Sequence, residues 1–167
     1  NTLYNSSGVS ELGDEDITIT NELIVAEANA IDPLTTGVVS ASIASTVDPT
    51  TLVNLTGSNT YTYILPGGSP LTVSDLNGII DSISIAVDAS SVTSLTGSYN
   101  DVVALYNSSK VTGLADKNIN ITNDLTVSEA NALDLLTTGT VSGSIVSTEK
   151  VEALKTLTGL NGYTIII

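Results

Sequence analysis

An internal repeat constrains this chain more than any other feature of its sequence. The segment LIVAEANAIDPLTTGVVSASI, residues 23–43, returns as LTVSEANALDLLTTGTVSGSI at residues 125–145. The match continues in register from residues 3–65 to residues 105–167, and more than half of the paired residues are identical. Because repeated supersecondary units stack on their neighbours, this pattern favours a layered repeat architecture over a globule with one central core.

The residue types that the chain lacks narrow its chemistry. Cys, Met, Trp, Phe and His are missing, and no Arg or Gln occurs either. Without His and Cys, the sequence excludes a His-dependent catalytic triad, a thiol nucleophile and a zinc site made of the usual ligands. The core must be built from small aliphatic residues and six tyrosines, a composition that suits many thin, similar layers.

The chain is strongly acidic, with a formal net charge of -14 and only four lysines. Such a charge repels nucleic acid and anionic membrane surfaces, so both are excluded as partners. No apolar run reaches the length of a membrane-spanning helix, and the given residues predict no signal peptide. Solubility in salty water is the favoured explanation of the acidity, and cation binding is the alternative.

Strand and helix signals alternate through both copies. Capping pairs at Thr126 with Glu129, at Ser98 with Asp101, and at Asp48 followed by Pro49 predict short helices. Alternating apolar and polar residues predict strands centred near residues 18, 41, 63, 87, 120, 143 and 165. Strand, helix and strand in one sense predict an α/β solenoid, in which short crossover helices join a parallel sheet with about 22–24 residues per coil.

The repeat divides the predicted solenoid into three segments. Residues 1–65 form repeat unit A, which lacks its start; residues 66–102 form a shorter degenerate unit; and residues 103–167 form repeat unit B. We expect one continuous solenoid. Residues 1–7 are predicted to be the tail of a helix, because LYNSS also ends the predicted helix near residue 109. The chain therefore looks like a fragment of something longer or a processed product.

Carboxylates are the remaining acid–base groups. Asp14, Glu15 and Asp16 cluster where a strand begins, and such acids could hold calcium or serve a glycosidase. The other copy has Asp116, Lys117 and Asn118 there, so a purpose shared by both copies cannot depend on three acids. A solvated loop is the favoured interpretation and calcium is the alternative; no other cofactor is predicted.

Other repeated polar residues and glycines have structural explanations. Asp32 and Asp134 recur in the helix motif, as do Glu27 and Glu129, and capping or turn hydrogen bonds explain them better than ligand binding does. Helix termination is the predicted role of five glycines, which are Gly37, Gly57, Gly97, Gly139 and Gly159.

Three phrases of the chain resemble a known class of protein. They are TVSEANALDLLTTGTVSGSI, SSVTSLTGSYNDVVALYNSSKVTGLADKNINIT and LTGLNGYTI. They resemble the degenerate repeats of giant secreted surface proteins of marine cyanobacteria and similar bacteria, often labelled haemolysin-like or beta-strand-repeat proteins. The resemblance covers nearly the whole chain. It implies an extracellular or cell-surface location and a structural or adhesive role.

Two functions are consistent with these features. The first is a non-enzymatic building block of an extracellular fibre, sheath or giant surface adhesin. The second is a carbohydrate- or ice-binding module that uses a sheet face rich in Ser, Thr and Tyr. Tyr61, Thr62 and Tyr63 are the residues predicted to contact a glycan.

The last strand, YTIII, predicts self-association. Tyr163, Ile165, Ile166 and Ile167 place apolar side chains on an open sheet edge, which invites another strand to add. The predicted partner is the chain itself or a neighbouring repeat, stacked head to tail.

Overall fold

Two parallel sheets with interspersed helices make up residues 13–68, 71–159 and 161–166, which are the residues described by a computed structural model. The strands are β1 (Ile17–Thr18), β2 (Val39–Ile43), β3 (Thr60–Ile64), β4 (Leu71–Thr72), β5 (Ala86–Asp88), β6 (Ser94–Gly97), β7 (Val111–Thr112), β8 (Asn118–Ile121), β9 (Val141–Ile145) and β10 (Gly162–Ile165). The α-helices are α1 (Val25–Ile31), α2 (Val73–Ser82), α3 (Tyr99–Tyr106), α4 (Val127–Asp134) and α5 (Val151–Leu154), and Asp32–Leu34 and Pro49–Asn54 form 3₁₀ helices. The predicted α/β class with parallel strands is confirmed; the predicted helix tail at residues 1–7 lies outside the described residues.

The strands divide between two sheets, whereas the sequence predicted one. The first sheet has the order β1-β2-β3-β5-β7 and the second has the order β10-β9-β8-β6-β4, with parallel pairing throughout. Strands β1, β2 and β3 belong to the first repeat copy, and their counterparts β8, β9 and β10 lie in the other sheet. The second sheet begins at β4, a strand that is too short to show alternation in the sequence.

The strand register advances by a nearly constant length of chain in both sheets. Three pairs show this in the first sheet: Ile17 with Val39, Ser40 with Thr60, and Tyr63 with Val87. The second sheet advances in the same way, for example from Ser94 to Asn118. The pair Ser40 with Thr60 spans slightly less chain than the predicted coil, and the other pairs lie close to the prediction.

Local capping fixes where the helices begin. Ser98 Oγ accepts a hydrogen bond from the Asp101 N–H at 3.2 Å. Thr126 Oγ1 accepts from the Glu129 N–H at 3.2 Å, and the Glu129 carboxylate accepts in return from the Thr126 N–H at 2.8 Å. These two predicted caps are confirmed. Asp48 also caps as predicted, by accepting from the Thr50 N–H at 2.9 Å, but the helix that it opens is a 3₁₀ helix.

One hydrophobic cluster receives side chains from both sheets and from the helices. The inward residues of the strands alternate with outward Ser, Thr and Asn, and each fully buried aliphatic side chain contributes about 1.5–3 kcal/mol relative to an exposed one. Fully buried members include Ile43, Val87, Leu95, Ile145, Leu76, Leu105 and Leu133.

Candidate functional site

Two of the three acidic residues before β1 contact backbone groups. The Glu15 carboxylate accepts a hydrogen bond from the Gly13 N–H at 2.8 Å, and this contact lowers the pKa of the Glu15 carboxyl. Asp16 Oδ1 accepts from the Val38 N–H at 2.7 Å. Within the described ranges, no group of three or more Asp or Glu residues is arranged to hold a metal ion. The calcium alternative at Asp14, Glu15 and Asp16 therefore gains no support from these contacts.

Asp16 and its counterpart Asn118 accept equivalent backbone hydrogen bonds, although one side chain is a carboxylate and the other is an amide. Asn118 Oδ1 accepts from the Thr140 N–H at 3.0 Å, in the position of the contact between Asp16 and Val38. Both positions require a side-chain oxygen that can accept from the next coil, and neither requires a negative charge. This equivalence supports a structural role for Asp16.

The predicted glycan residues lie mainly inside the protein. Tyr61 and Tyr63 point inward from β3 and are 3% and 1% exposed. The Tyr63 hydroxyl donates to the Val47 carbonyl at 3.0 Å, and burial raises the pKa of both tyrosines. Only Thr62 reaches the outer face, where it is half-buried. The prediction that these tyrosine rings stack on a sugar is therefore wrong, because β3 turns them toward the core.

A repeated polar contact joins a helix end to the turn of the following coil. Asp32 Oδ1 accepts from the Asn59 side-chain amide at 2.7 Å, and Asn59 Oδ1 accepts from the Val39 N–H at 2.8 Å. Asp134 and Asn161 make the same two contacts in the second copy at the same lengths. We call this arrangement the Asp–Asn bridge. It assigns both aspartates to contacts between segments that are distant in the chain, which differs from the predicted local capping or turn hydrogen bonds.

A second repeated contact starts from an asparagine inside each main helix. Asn29 Nδ2 donates to the Asn54 carbonyl at 2.8 Å, while Asn29 Oδ1 accepts from the Thr56 N–H at 3.0 Å. Asn131 makes the matching pair in the second copy, at 2.9 Å each. An asparagine side chain offers both a donor and an acceptor, so one residue can satisfy both backbone groups of the neighbouring coil.

The repeated TTG motif also links coils. Thr35 Oγ1 donates to the Glu15 carbonyl at 2.6 Å and accepts from the Gly37 N–H at 2.9 Å. A Cβ at Gly37 would overlap the Glu15 carbonyl, and one at Gly139 would overlap the carbonyl of Lys117. These two glycines permit close approach of two backbones, which differs from the predicted helix termination.

The other predicted helix-terminating glycines divide into two groups. Gly57 and Gly159 have φ of 75° and lie in the loops after Pro49–Asn54 and α5, past the residues that cap those helices. A Cβ there would overlap the carboxylate of Asp32 or Asp134, so these glycines make room for the Asp–Asn bridge. Gly97 lies inside β6 and precedes α3, so its predicted role is wrong. Its missing side chain leaves room for Val73, which a Cβ there would meet at 2.9 Å.

Two of the four lysines satisfy carbonyl groups inside the protein. The Lys110 ammonium donates to the Ile80 carbonyl at 3.0 Å near the end of α2, where positive charge is favoured by the helix dipole. The Lys117 side chain is 4% exposed, contacts the Asp116 carboxylate at 2.7 Å and donates to the Ser90 carbonyl at 3.0 Å. The accessible surface is therefore even more anionic than the formal charge indicates.

β10 is an edge strand, as the sequence predicted. It pairs with β9 on one side, and no strand of the described residues pairs with it on the other. Ile165 and Ile166 are 47% and 41% exposed, whereas Ile167 lies outside the described residues. Tyr163 is half-buried: its hydroxyl donates to the Ala130 carbonyl at 3.2 Å, and burial raises its pKa to about 12. Self-association at this edge stays a prediction.

The asparagine contacts were missed at the level of the sequence. Asn29 and Asn131 are identical polar residues in the middle of the predicted helices, where neither capping nor a turn explains them. Asn is unfavourable inside a helix, so its presence at the same helix position in both copies could have indicated a tertiary contact.

Comparison with protein-family models, with curated proteins and with solved structures finds no match to this chain. The resemblance to beta-strand-repeat surface proteins therefore stays a prediction. Within the described ranges, the helices are all too short or too polar to cross a lipid bilayer.

Proposed function

We propose that this chain is a non-enzymatic structural segment of an extracellular fibre, sheath or giant surface adhesin, built as an α/β solenoid that stacks head to tail. The observation that carries the proposal is the register of the two sheets. Each strand pairs in parallel with the next strand of its sheet after a short and similar length of chain, for example Ser40 with Thr60 and Val87 with Val111. A chain that pairs with itself at a short, nearly constant interval builds layers along one axis.

The polar contacts support a structural role. The Asp–Asn bridge, the helix asparagines and the TTG threonines all direct their side chains at backbone groups or side chains of the adjacent coil. A binding or catalytic site needs polar groups that converge on space open to a ligand. Here the repeated polar residues hold neighbouring layers together.

The division into two sheets fits a solenoid in which one turn has two strand positions. Between residues 71 and 121 a single turn visits both sheets, as the pairs Leu71 with Leu95 and Val87 with Val111 indicate. In the flanking repeat copies, one strand position holds a strand and a helix crosses the other side. The two copies would then differ by about half a turn around the axis.

Assembly tests the proposal directly. We expect sedimentation velocity and electron microscopy of the purified chain to show assemblies that grow with concentration. Ile166→Lys places a charge on the open edge and should shorten or abolish them while leaving the circular dichroism spectrum unchanged. Val53→Lys is the matched control, because Val53 is 63% exposed and lies in a 3₁₀ helix away from this edge.

Two results would overturn the proposal. One is a folded chain that stays monomeric at high concentration. The other is an Ile166→Lys variant that assembles as well as the parent.

A second candidate rests on the outer face of the first sheet. Thr18, Ser40 and Thr60 lie side by side across three strands, and Ser42 lies beside Thr62. Hydroxyl rows about 4.8 Å apart could contact a carbohydrate or an ice lattice. Unchanged glycan-array and ice-affinity signals after Thr60→Lys and Thr62→Lys would remove this candidate.

A further inference from the structure

We propose that β10 of one chain pairs in parallel with β1 of a second copy, with Tyr163 beside Ile17 and Ile165 beside Ile19. The second sheet of one chain would then continue as the first sheet of the next. This inference rests on the proposed head-to-tail stacking and names the two edges that meet.

The two edges are complementary in pattern. β1 is the outermost strand of the first sheet and β10 of the second, and no other described strand pairs with their outer edges. Ile17 and Ile19 pack against the core with Thr18 outward between them, and so does Tyr163 on β10. Ile165 is exposed, but its register beside the fully buried Ile145 places it on the same face of β10 as Tyr163. In parallel pairing, inward residues would meet inward residues, so both apolar sets would join one core.

The chain contains a covered example of each edge. β3, the counterpart of β10, carries β5 on its outer side, with Tyr63 beside Val87. β8, the counterpart of β1, lies against β6, with Leu95 beside Ile119. In both examples the neighbouring strand is parallel and places an apolar inward residue in register. The proposed junction repeats a pairing that the fold already uses twice.

The residues at the two open edges are more exposed than their counterparts in the covered examples, as expected where a neighbouring strand is missing. Tyr63 is 1% exposed, whereas its counterpart Ile165 is 47% exposed. Ile119 is 1% exposed, whereas its counterpart Ile17 is only half-buried and lines an apolar groove of about 390 Å³. A strand added at each edge would bring both isoleucines to the burial of their counterparts.

The junction also fixes the geometry of the assembly. From β1 to β10 the chain climbs about six and a half turns, and the junction adds one more. With about 4.8 Å between strands, successive chains would rise about 36 Å. The half turn means that each chain is rotated by about 180° from the one before, which is the relation that places the two repeat copies in different sheets.

Engineered cysteines test the register, because the native chain contains none. Thr18 and Thr164 are exposed and outward, and the proposed pairing makes them neighbours at a distance that a disulfide can span. A mixture of Thr18→Cys and Thr164→Cys chains, oxidised under assembly conditions, should give a disulfide-linked heterodimer identified by peptide mass spectrometry. Thr46→Cys mixed with Thr164→Cys is the control and should not link above background.

The outcomes separate this inference from the proposed function. If assemblies form but the Thr18 and Thr164 variants link no better than the control, or if the rise differs clearly from about 36 Å, the junction is wrong and stacking stands. Self-linking of Thr164→Cys alone would show a closed antiparallel dimer and overturn the junction as well. A chain that stays monomeric would overturn both.

Discussion

The two repeat copies share most of their sequence and yet occupy different sheets. What they keep is the set of contacts between coils: the Asp–Asn bridge has the same lengths in both copies. What they change includes the residue that lies one or two positions before the first strand of each copy. Glu15 accepts from the N–H of Gly13 in its own loop, whereas Lys117 reaches the carbonyl of Ser90. The repeat therefore keeps the same polar contacts between neighbouring strand–helix segments in both sheets.

The copies also differ in how deeply their matching core residues are buried. Leu133 in α4 is 0% exposed, whereas Ile31 at the same position of α1 is half-buried beside the groove at β1. The second copy lies against the middle segment, because its strand β8 pairs with β6. Its core positions should therefore contribute more to stability than those of the first copy.

The largest expected effect is a difference in the free energy of unfolding between matched core variants of the two copies. Leu133→Ala should lower the free energy of unfolding by about 2–5 kcal/mol, because it opens a cavity in a closed core. Ile31→Ala should cost less than half as much, since its site is already partly open. Chemical denaturation of the two variants measures the difference. Equal losses of unfolding free energy in the two variants would contradict the proposed difference in core burial between the copies.

The Asp–Asn bridge should instead behave identically in both copies. Asn59→Ala and Asn161→Ala each leave one Asp carboxylate oxygen and one backbone N–H without the partner that the bridge supplies, so each should cost about 1–2 kcal/mol. Ser58→Ala, at an exposed neighbouring position, is the control and should change little. A difference above about 1 kcal/mol between the two asparagine variants would contradict the shared role of the bridge.

The α/β class, the parallel strands and several helix starts could be predicted from the repeat and its local signals. Two helix caps, at Ser98 and Thr126, and the inward positions of β8 were predicted correctly. Each depends only on residues a few positions apart in the chain, so the sequence alone is enough to predict it. The open edge at β10 was predicted from the apolar run YTIII, which was expected to be buried on both faces and to leave its backbone groups unpaired at the edge of the sheet.

The second sheet could not be predicted in the same way. β4 is very short, and β6 (SLTG) ends in a glycine whose place is set by Val73 of a neighbouring coil. The burial of Tyr61 and Tyr63 likewise depends on which face of β3 meets the helices. These features depend on contacts with the next coil, which is distant in the chain, and local alternation carries no information about them.

The hydrogen bond from Lys117 to the Ser90 carbonyl occurs only at the second copy's position, and its contribution to stability can be tested. Lys117→Met removes the donor to the Ser90 carbonyl and should lower the free energy of unfolding by about 1–2 kcal/mol. Lys155→Met is the matched control, because its pair with Glu152 is solvent-exposed and should be worth under about 0.5 kcal/mol. Denaturant unfolding at low and high salt measures both. A loss for Lys155→Met as large as that for Lys117→Met would remove the distinction between buried and exposed lysines.

The smallest expected effect is a difference in acid sensitivity between the copies. The Gly13 N–H lowers the pKa of the Glu15 carboxyl, and the Thr50 hydroxyl and N–H lower that of Asp48. Since the folded pKa of each group lies below its ordinary value of 4.5 or 3.8, the stabilisation is present above that value and is lost as the pH falls through the folded pKa. The second copy has Lys150 at the position of Asp48 and cannot lose stability there in this way. At the position of Glu15 it has Lys117, whose hydrogen bond lowers the pKa of the adjacent Asp116 carboxyl.

Hydrogen exchange between pH 5 and pH 3 should therefore show protection falling first at the amides of Gly13 and Thr50, after correction for the intrinsic pH dependence of exchange. Asp48→Asn should reduce the pH dependence at Thr50, because an amide oxygen accepts the same hydrogen bond without titrating. Lys150→Gln is the control and should leave that dependence unchanged. If the turn before α5 loses protection over the same pH range as the turn before Pro49–Asn54, the acid response comes from net charge spread over the whole chain, and the copies do not differ in this respect.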